Sequence, residues 1–325
     1  MFDLIIIGGS AAATAAGIYA ARRGLNFKIV SKDFGGEVAT SGEIGNWPGD
    51  GMTDGIVLTE KFKKHLEYYK VQIEEGVEVE KVTKQADGSF CITAKKEGTP
   101  GMASEKLPEG NPAPAPKCDY IAKAVIITTG VHPRELNIPG EKEFRTKGVS
   151  YCTTCDGPLF KGRTTTVVGG GNSALEAALM LADISPKVYV LNKNAQFKGD
   201  QILIDNLTAK KNVEILYEVG TNAVVGEKFV TAVQYTDKAG QAKEIKTDGV
   251  FVHIGQIPNS NMVGPEVAKD NFGQIKVNAK CETNVPGLYA AGDVTDVAYK
   301  QIVIAAGQGC TAALAVVEYL NRLSK

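Results

Sequence analysis

The chain has 325 residues, and its 36 Lys and Arg against 37 Asp and Glu give a net charge of −1. This balance leaves no basic surface for nucleic acid or an anionic membrane, and no apolar run approaches the roughly 18 residues that a membrane span needs. The length predicts two domains. Because the chain starts on an apolar strand pattern without a basic segment, we expect no signal peptide and a cytoplasmic location.

The first predicted unit is a strand, a helix and a second strand. Leu4–Ile7 is apolar, Ala11–Arg23 is an alanine-rich helix that ends at Gly24, and Phe27–Val30 is the next strand. This order predicts a βαβ unit and therefore a parallel sheet.

The βαβ order recurs further along the chain. Before it, residues 71–93 alternate as antiparallel strands do, Gly98–Pro116 predicts an exposed loop rich in Pro and Gly, and Ala124–Thr128 predicts a buried strand. The later predicted elements are the strand Thr165–Val168, the helix Ser173–Leu181, the strands Val188–Leu191, Gly249–Ile254 and Gly287–Ala290, and the helix Ile302–Leu323. The repeated unit predicts an α/β fold with two Rossmann-like (doubly wound, three-layer) nucleotide-binding domains.

The first glycine-rich fingerprint is only half matched. Gly8 takes the place of the tight turn and Ala13 that of the small residue for helix packing, but Ser10 stands where a second glycine normally meets the pyrophosphate. The acid expected after the second strand is replaced by Lys32. The run is compatible with dinucleotide binding and also with a simple helix-packing role.

The second fingerprint is complete. Gly169, Gly171 and Ala174 fill the three small positions, and the helix begins at Asn172 and Ser173, whose backbone amides can bind a diphosphate.

The loop after the following strand decides which nucleotide is favoured. An acid here binds a ribose 2′-OH and favours NAD, whereas an arginine cluster binds the 2′-phosphate of NADP. The chain has Asn192, Lys193 and Asn194, with Lys198 a turn later. The cofactor preference between NADPH and NADH therefore stays open.

A Cys-x-x-Cys pair, Cys152 and Cys155, lies just before the second fingerprint. This spacing places two thiols within disulfide reach, and Asp156 beside them can donate or accept a proton. Two other interpretations are a zinc half-site and a buried thiol pair. Zinc needs two further ligands, and the other cysteines are scattered singly, at positions Cys91, Cys118, Cys281 and Cys310, so we expect no metal.

Several motifs together resemble the low-molecular-weight bacterial thioredoxin reductases and the flavoprotein subunit of alkyl hydroperoxide reductase. They extend over nearly the whole chain: Cys152–Gly157, Gly169–Ala174, Gly255–Asn259, Cys281–Gly287, Ala290–Val294 and Tyr299–Ile302.

The resemblance implies FAD in a discontinuous domain, residues 1–131 and 248–325, and NADPH or NADH in the central domain, residues 132–247. The FAD residues it implies are Gly8, Ser10, Ala13, Gly35, Gly36, Asn46, Thr129, Gly130, Gly292, Asp293, Lys300, Gln301 and Ile302. Those for the nicotinamide nucleotide are Gly169, Gly171, Asn172, Ser173, Ala174, Lys193 and Lys198.

The resemblance also implies the chemistry. Electrons pass from nicotinamide through flavin to the disulfide; Cys155 faces the flavin, Cys152 attacks a partner disulfide, and Asp156 is the acid–base group. The partner is a thioredoxin-like or glutaredoxin-like protein, and the enzyme is a homodimer. Nicotinamide and disulfide cannot share one flavin face, so we expect the central domain to rotate about crossings near Val131–Pro139 and Lys246–Gly249.

Two departures from the family pattern keep alternatives open. Glu37 replaces the glutamine that follows the paired glycines, and residues 192–194 replace a His-Arg-Arg stretch. The alternatives are a dithiol flavoenzyme fed by ferredoxin or dependent on oxygen, and a flavin redox sensor without turnover.

Overall fold

The computed structural model describes residues 1–41, 43–96 and 118–323, and the predicted loop Gly98–Pro116 lies outside them. The segment up to residue 133 contains the strands β1 (Phe2–Ile7), β2 (Phe27–Val30), β3 (Glu43–Ile44), β4 (Thr53–Asp54), β5 (Ile73–Glu74), β6 (Val77–Lys84), β7 (Phe90–Lys96), β8 (Tyr120–Ile127) and β9 (Val131–Pro133), and the helices α1 (Ala11–Arg22) and α2 (Gly55–Tyr68).

The rest of the chain alternates in the same way. The central segment contains β10 (Val149–Ser150), α3 (Thr153–Asp156), a 3₁₀ turn (Gly157–Phe160), β11 (Thr165–Val168), α4 (Asn172–Ala182), β12 (Val188–Asn192), α5 (Gln201–Thr208), β13 (Val213–Tyr217), β14 (Gly220–Gly226), β15 (Val230–Thr236), β16 (Ala242–Lys246) and β17 (Gly249–Val252). The last segment contains β18 (Gln256–Pro258), β19 (Leu288–Ala290) and α6 (Ile302–Leu323).

The first domain is built on one mixed sheet in the order β5-β2-β1-β8-β7-β6, with β19 added beside β8. The strands β5, β2, β1, β8 and β19 are parallel, and β6 and β7 are antiparallel. The antiparallel prediction for residues 71–93 therefore holds for β6 and β7 but is wrong for β5. Apolar side chains of β1 alternate between a cluster under α1 and α6 and a cluster on the opposite face.

Small residues let α1 and α6 pack closely over this sheet. A Cβ at Gly309 would lie 2.1 Å from the backbone oxygen of Ala12. Among the described residues, α6 is also the one helix long and apolar enough by length and composition to cross a membrane. Its buried residues face α1 and β8.

The central domain has a second parallel sheet, in the order β10-β17-β11-β12-β13, and a separate antiparallel sheet β14-β15-β16. The register pairs Val167 with both Val190 and Phe251, so β11 lies in the middle with α4 over it. The α/β fold with two Rossmann-like domains is confirmed.

The two crossings between the domains lie side by side. β9 pairs antiparallel with β18, with Val131 opposite Pro258. Because β17 belongs to the central sheet, the chain returns to the first domain after Val252. The sequence placed this boundary at residue 248, since an isolated apolar strand does not show which sheet it joins.

Candidate dithiol and dinucleotide sites

The Cys-x-x-Cys motif forms a disulfide at the start of α3. The Cα atoms of Cys152 and Cys155 are 5.3 Å apart, and both residues are half-buried. Cys152 is the N-cap residue, and its Sγ accepts a hydrogen bond from the Cys155 backbone N–H at 3.2 Å. This donor favours negative charge on the Cys152 sulfur when the disulfide opens, which suits Cys152 as the nucleophile.

Asp156 is connected to the same motif through Ser150. The Ser150 hydroxyl donates to Asp156 Oδ2 at 2.6 Å and accepts from the Cys152 backbone N–H at 3.1 Å. Burial raises the pKa of the Asp156 carboxyl, and the Ser150 hydrogen bond opposes this shift only in part. A carboxyl that holds its proton more readily is suited to protonate a leaving thiolate.

A histidine that no sequence motif indicated contacts the turn that carries the two cysteines. His253 follows β17, and its Nε2 lies 2.7 Å from Oγ1 of Thr153, the buried residue between the two cysteines. Burial lowers the pKa of His253 to about 4, so its ring is neutral at physiological pH. No local pattern could reveal it, because the two residues are 100 positions apart.

The dithiol lies in a cleft between the domains. Helix α3 packs against β3 of the first domain, and an open cleft lies beside it. The first domain lines it with Glu37, Thr40 and Ser41, and the central domain with Arg145 and both cysteines among others.

The first fingerprint forms a backbone cradle despite its departure from the pattern. Gly8 has a φ of +121°, and a Cβ there would lie 2.4 Å from the Thr128 backbone oxygen. Ser10 is the N-cap of α1, and a Cβ on Gly36 would lie 3.7 Å from its Cβ. Gly35 donates its N–H to the Gly9 oxygen at 2.7 Å. The structure thus brings three of the predicted FAD loops together.

Buried polar atoms around this cradle lack a partner among the described residues. They are Asp293 Oδ1, Ser31 Oγ and Thr59 Oγ1, with a few other hydroxyls elsewhere. A Cβ on Gly9 would approach Ser31, and one on Gly35 would approach Thr59. Burial raises the pKa of Asp293 to about 6. Groups of this kind need hydrogen bonds from a ligand, so the residues present fit FAD.

Lys32, which stands where the pattern expects an acid, makes its contact outside the cradle. Lys32 Nζ pairs with Glu78 Oε2 at 3.3 Å on the surface. Ala13, by contrast, is fully buried in α1, as its packing role predicts.

The C-terminal residues assigned to FAD approach the same loops. Asn46 Nδ2 donates to Gln301 Oε1 at 3.2 Å, although the two residues are 255 positions apart. Lys300 Nζ donates to the Thr295 backbone oxygen at 2.5 Å, and Ile302 begins α6. These contacts place residues 46 and 300–302 together at one end of α6.

The remaining predicted FAD residues lie at strand ends of the first domain. The Asn259 side chain donates to the Thr129 backbone oxygen at 2.8 Å, and the Asn259 backbone donates to Gly130 at 3.0 Å. A Cβ on Gly292 would lie 3.3 Å from the Cβ of Ala12. Thr129 and Gly130 thus connect β8 to the crossing strands, and Gly292 abuts the α1 turn.

The second fingerprint has the geometry that its pattern predicts. Gly169 ends β11 with a φ of +151°, and a Cβ there would lie 2.2 Å from the His253 backbone oxygen. Gly171 is the N-cap of α4, Ser173 is exposed in its first turn, and Ala174 is fully buried. The free N–H groups of this turn form an anion-binding end.

Two residues assigned to the nucleotide hold the neighbouring loop in place. Asn172 Oδ1 accepts from the Asp200 backbone N–H at 2.8 Å, and Asn172 Nδ2 donates to the Asp200 carboxylate at 3.0 Å. The Lys198 backbone N–H donates to Gly170 at 2.7 Å, while its side chain is exposed. The Lys198 ammonium therefore stays available beside the fingerprint.

Asn192 is structural rather than exposed to a ligand. It is fully buried at the end of β12, where its side chain accepts from the Asn194 N–H and donates to Gln196 O. A Cβ on Gly170 would lie 2.5 Å from Asn192 Oδ1. Lys193 is exposed next to it, so the side chains that can contact the end of the nucleotide are basic.

A second disulfide joins two cysteines that the sequence indicated as single. Cys91 in β7 and Cys118 just before β8 have Cα atoms 5.2 Å apart, and 27 positions separate them. The expectation of scattered single cysteines is wrong for this pair. It holds for the free cysteines Cys281 and Cys310.

The comparison with protein families matches residues 2–309 to pyridine nucleotide-disulphide oxidoreductase. The chain belongs to this family. Family members use FAD and NAD(P)H, and the predicted resemblance is confirmed.

Three relatives illustrate the similarity. The F subunit of alkyl hydroperoxide reductase from Escherichia coli (strain K12) is 38% identical over 323 residues, which are 99% of this chain and 58% of that protein. The thioredoxin reductase of Streptococcus pyogenes MGAS5005 superimposes with a TM-score of 0.87 at 32% identity, over 99% of both chains. Lactococcus lactis thioredoxin reductase (FR conformation) gives 0.64 at 28% identity, over 99% of this chain and 100% of that one.

Proposed function

We propose that the chain is an FAD-dependent disulfide reductase of the thioredoxin-reductase type. It would pass electrons from NADPH or NADH to a thioredoxin-like or glutaredoxin-like protein. The observation that carries the proposal is the Cys152–Cys155 disulfide, held with Asp156 in a cleft against a domain whose polar cradle fits FAD. The chain spans 58% of the length of the F subunit of Escherichia coli alkyl hydroperoxide reductase. The electron donor and the protein partner are therefore inferred from this site and not from that relative.

The cofactor would be held by the first domain. Bound FAD supplies a carrier that takes up a hydride and passes on two electrons. Gly8 and the Ser10 end of α1 would bind its diphosphate, and Asp293 its ribitol. Gly169, Gly171 and the start of α4 would bind the nicotinamide nucleotide, with Lys193 and Lys198 near its phosphate end.

The chain's own sulfurs would carry out the exchange. Once the disulfide has gained two electrons and two protons, Cys152 gives its proton to the Asp156 carboxylate, and the resulting thiolate attacks one sulfur of the partner disulfide. This forms a mixed disulfide and releases one partner thiolate, which takes a proton from Asp156. Cys155 then attacks the Cys152 sulfur, and its proton passes to the second partner sulfur as that sulfur leaves, so that a second partner thiol is released and the internal disulfide re-forms.

This sequence needs two arrangements of the domains. In the structure the half-buried cysteines lie in the cleft against the first domain, and an outward turn of the central domain would expose them fully for the exchange. We expect it to move about the crossings β9 and β18. A homodimer and a cytoplasmic location stay predictions, as does the lack of a nucleic-acid or membrane partner.

An anaerobic titration tests the function. NADPH, NADH and reduced ferredoxin are each added to the flavin-loaded protein, and loss of flavin absorbance identifies the donor. Addition of an oxidised thioredoxin should then restore the absorbance. Cys152→Ser should block that second step while Cys310→Ser, at a free cysteine outside the site, leaves it intact.

Two results would contradict the proposal. Bleaching by none of the three donors, with ready oxidation of the dithiol in air, would favour an oxidase or a redox sensor. Thioredoxin reduction by the Cys152→Ser variant would remove Cys152 as the nucleophile.

A further inference from the structure

The cleft beside the dithiol contains an ion pair that joins the two domains. Arg145 Nη2 lies 2.7 Å from Glu37 Oε2 and 3.2 Å from Thr40 Oγ1. Glu37 and Thr40 follow the paired glycines of the first domain, whereas Arg145 precedes β10 of the central domain. This contact exists only while the domains keep the orientation seen here.

Arg145 is held in place from its own domain. Its guanidinium lies 5.2 Å from the centre of the Tyr151 ring, and the Tyr151 hydroxyl donates to Glu141 Oε1 at 2.9 Å. Glu141 is fully buried and also accepts from the backbone N–H groups of Leu136 and Asn137. The aromatic ring therefore limits the side-chain freedom that Arg145 loses when it meets Glu37.

The Glu37–Arg145 ion pair can favour one orientation of the central domain without preventing the other. The side chain of Glu37 is 47% exposed and that of Arg145 is 28% exposed, so water and salt screen the attraction. An ion pair of this exposure shifts the equilibrium between two domain orientations by about 1.4- to fivefold. The proposed cycle needs both domain orientations to be populated, and a bias of this size leaves both accessible.

We propose that Glu37 and Arg145 are positioning residues: their ion pair holds the central domain so that the Cys152–Cys155 disulfide stays against the first domain. The inference rests on the proposed function, since a domain that must turn outward needs a contact that forms and breaks. It also gives a role to Glu37, which departs from the family pattern in the sequence.

Hydrogen exchange of the flavin-loaded protein without any donor tests the pair. The variants are Glu37→Gln, Arg145→Gln and the double variant, with Glu75→Gln as the matched control. Glu75 pairs with Lys63 inside the first domain at a similar exposure of 41%.

The effects should cross the domain boundary. Arg145→Gln should speed exchange in residues 36–41 by about 1.4- to fivefold, and Glu37→Gln should do the same in residues 144–151. The double variant should match either single variant, because the two residues act as a unit. Faster exchange confined to the mutated segment, equal changes in the control, or additive effects would overturn the assignment.

A second readout follows the dithiol itself. Dithiothreitol, a dithiol reductant, is oxidised as it gives two electrons to the Cys152–Cys155 disulfide, and flavin bleaching then reports transfer across the cleft. Both pair variants should slow this bleaching by about 1.4- to fivefold, whereas Glu75→Gln should not. An unchanged rate in the pair variants would contradict the inference.

These tests separate the inference from the proposed function. If the wild type is bleached by no nicotinamide donor but the exchange effects cross the domains, the reductase proposal fails and the positioning pair stands. If the donors bleach the flavin and the exchange rates are unchanged, the pair fails and the reductase proposal stands.

Discussion

His253 offers a direct test of how the dithiol turn is supported. Its neutral ring contacts Thr153 Oγ1 at 2.7 Å, and burial lowers its pKa to about 4. An unfolded chain would protonate this histidine with its ordinary pKa of about 6.5. We therefore expect a pH-dependent loss of stability that His253→Gln, which keeps a hydrogen-bonding side chain without titrating, does not show.

The sign and the size follow from these two pKa values. A lowered pKa means that the contribution to stability is fully present above about pH 6.5 and is lost as the pH falls toward 4. Between pH 8 and pH 5 the unfolded state gains about 2 kcal/mol relative to the folded state from this one group.

Urea unfolding followed by circular dichroism at pH 8 and pH 5 measures this loss. The unfolding free energy of the wild type should fall by about 2 kcal/mol more than that of His253→Gln over this interval. The control His65→Gln, at an exposed position of helix α2, should behave as the wild type does. Equal losses in the wild type and in His253→Gln would refute the reasoning, because they would mean that the ring is not held neutral by burial.

Three further predictions concern the other parts of the site. Asp156→Asn should slow thioredoxin reduction by about 100-fold or more without slowing flavin reduction by the donor, as stopped-flow absorbance can show; equal slowing of both would exclude an acid–base role. Gly8→Ala should weaken FAD retention, since its Cβ would lie 2.4 Å from Thr128 O at a φ of +121°, and full flavin content after gel filtration would contradict this. Replacing Cys91 and Cys118 by Ala should lower the unfolding free energy by about 2–4 kcal/mol, because the disulfide joins residues 27 positions apart. Dithiothreitol should reproduce this loss in the wild type. No loss in either case would argue against the Cys91–Cys118 disulfide.

The sequence predicted those parts of the fold whose signals are local. The helix α6 was located at Ile302–Leu323, and the strand Thr165–Val168 with its glycine loop was located to the residue. Strand–turn–helix units can be recognised within some 30 residues of sequence from their apolar runs and glycines. Which sheet a strand joins depends on residues that are distant in sequence. For this reason β5 was predicted to be antiparallel, and β17 was placed in the first domain.

The same distinction applies to the site. The dithiol and both fingerprints are contiguous motifs, so spacing alone located them. The Glu37–Arg145 pair spans 108 positions and the His253–Thr153 contact spans 100, so no local pattern could show either contact, although Glu37 itself stood out as a departure from the family pattern. The role of Asn192 was also hidden, because burial beneath Gly170 depends on how the loop folds back.

The paired crossing strands have a mechanical consequence. Because β9 and β18 are hydrogen-bonded to each other, the two covalent connections between the domains form a single double-stranded strap. Separating β9 from β18 would break the backbone hydrogen bonds between them, whereas twisting the strand pair about its long axis leaves these bonds intact. The two connections are therefore mechanically coupled, and any rotation of the central domain has to deform both of them together.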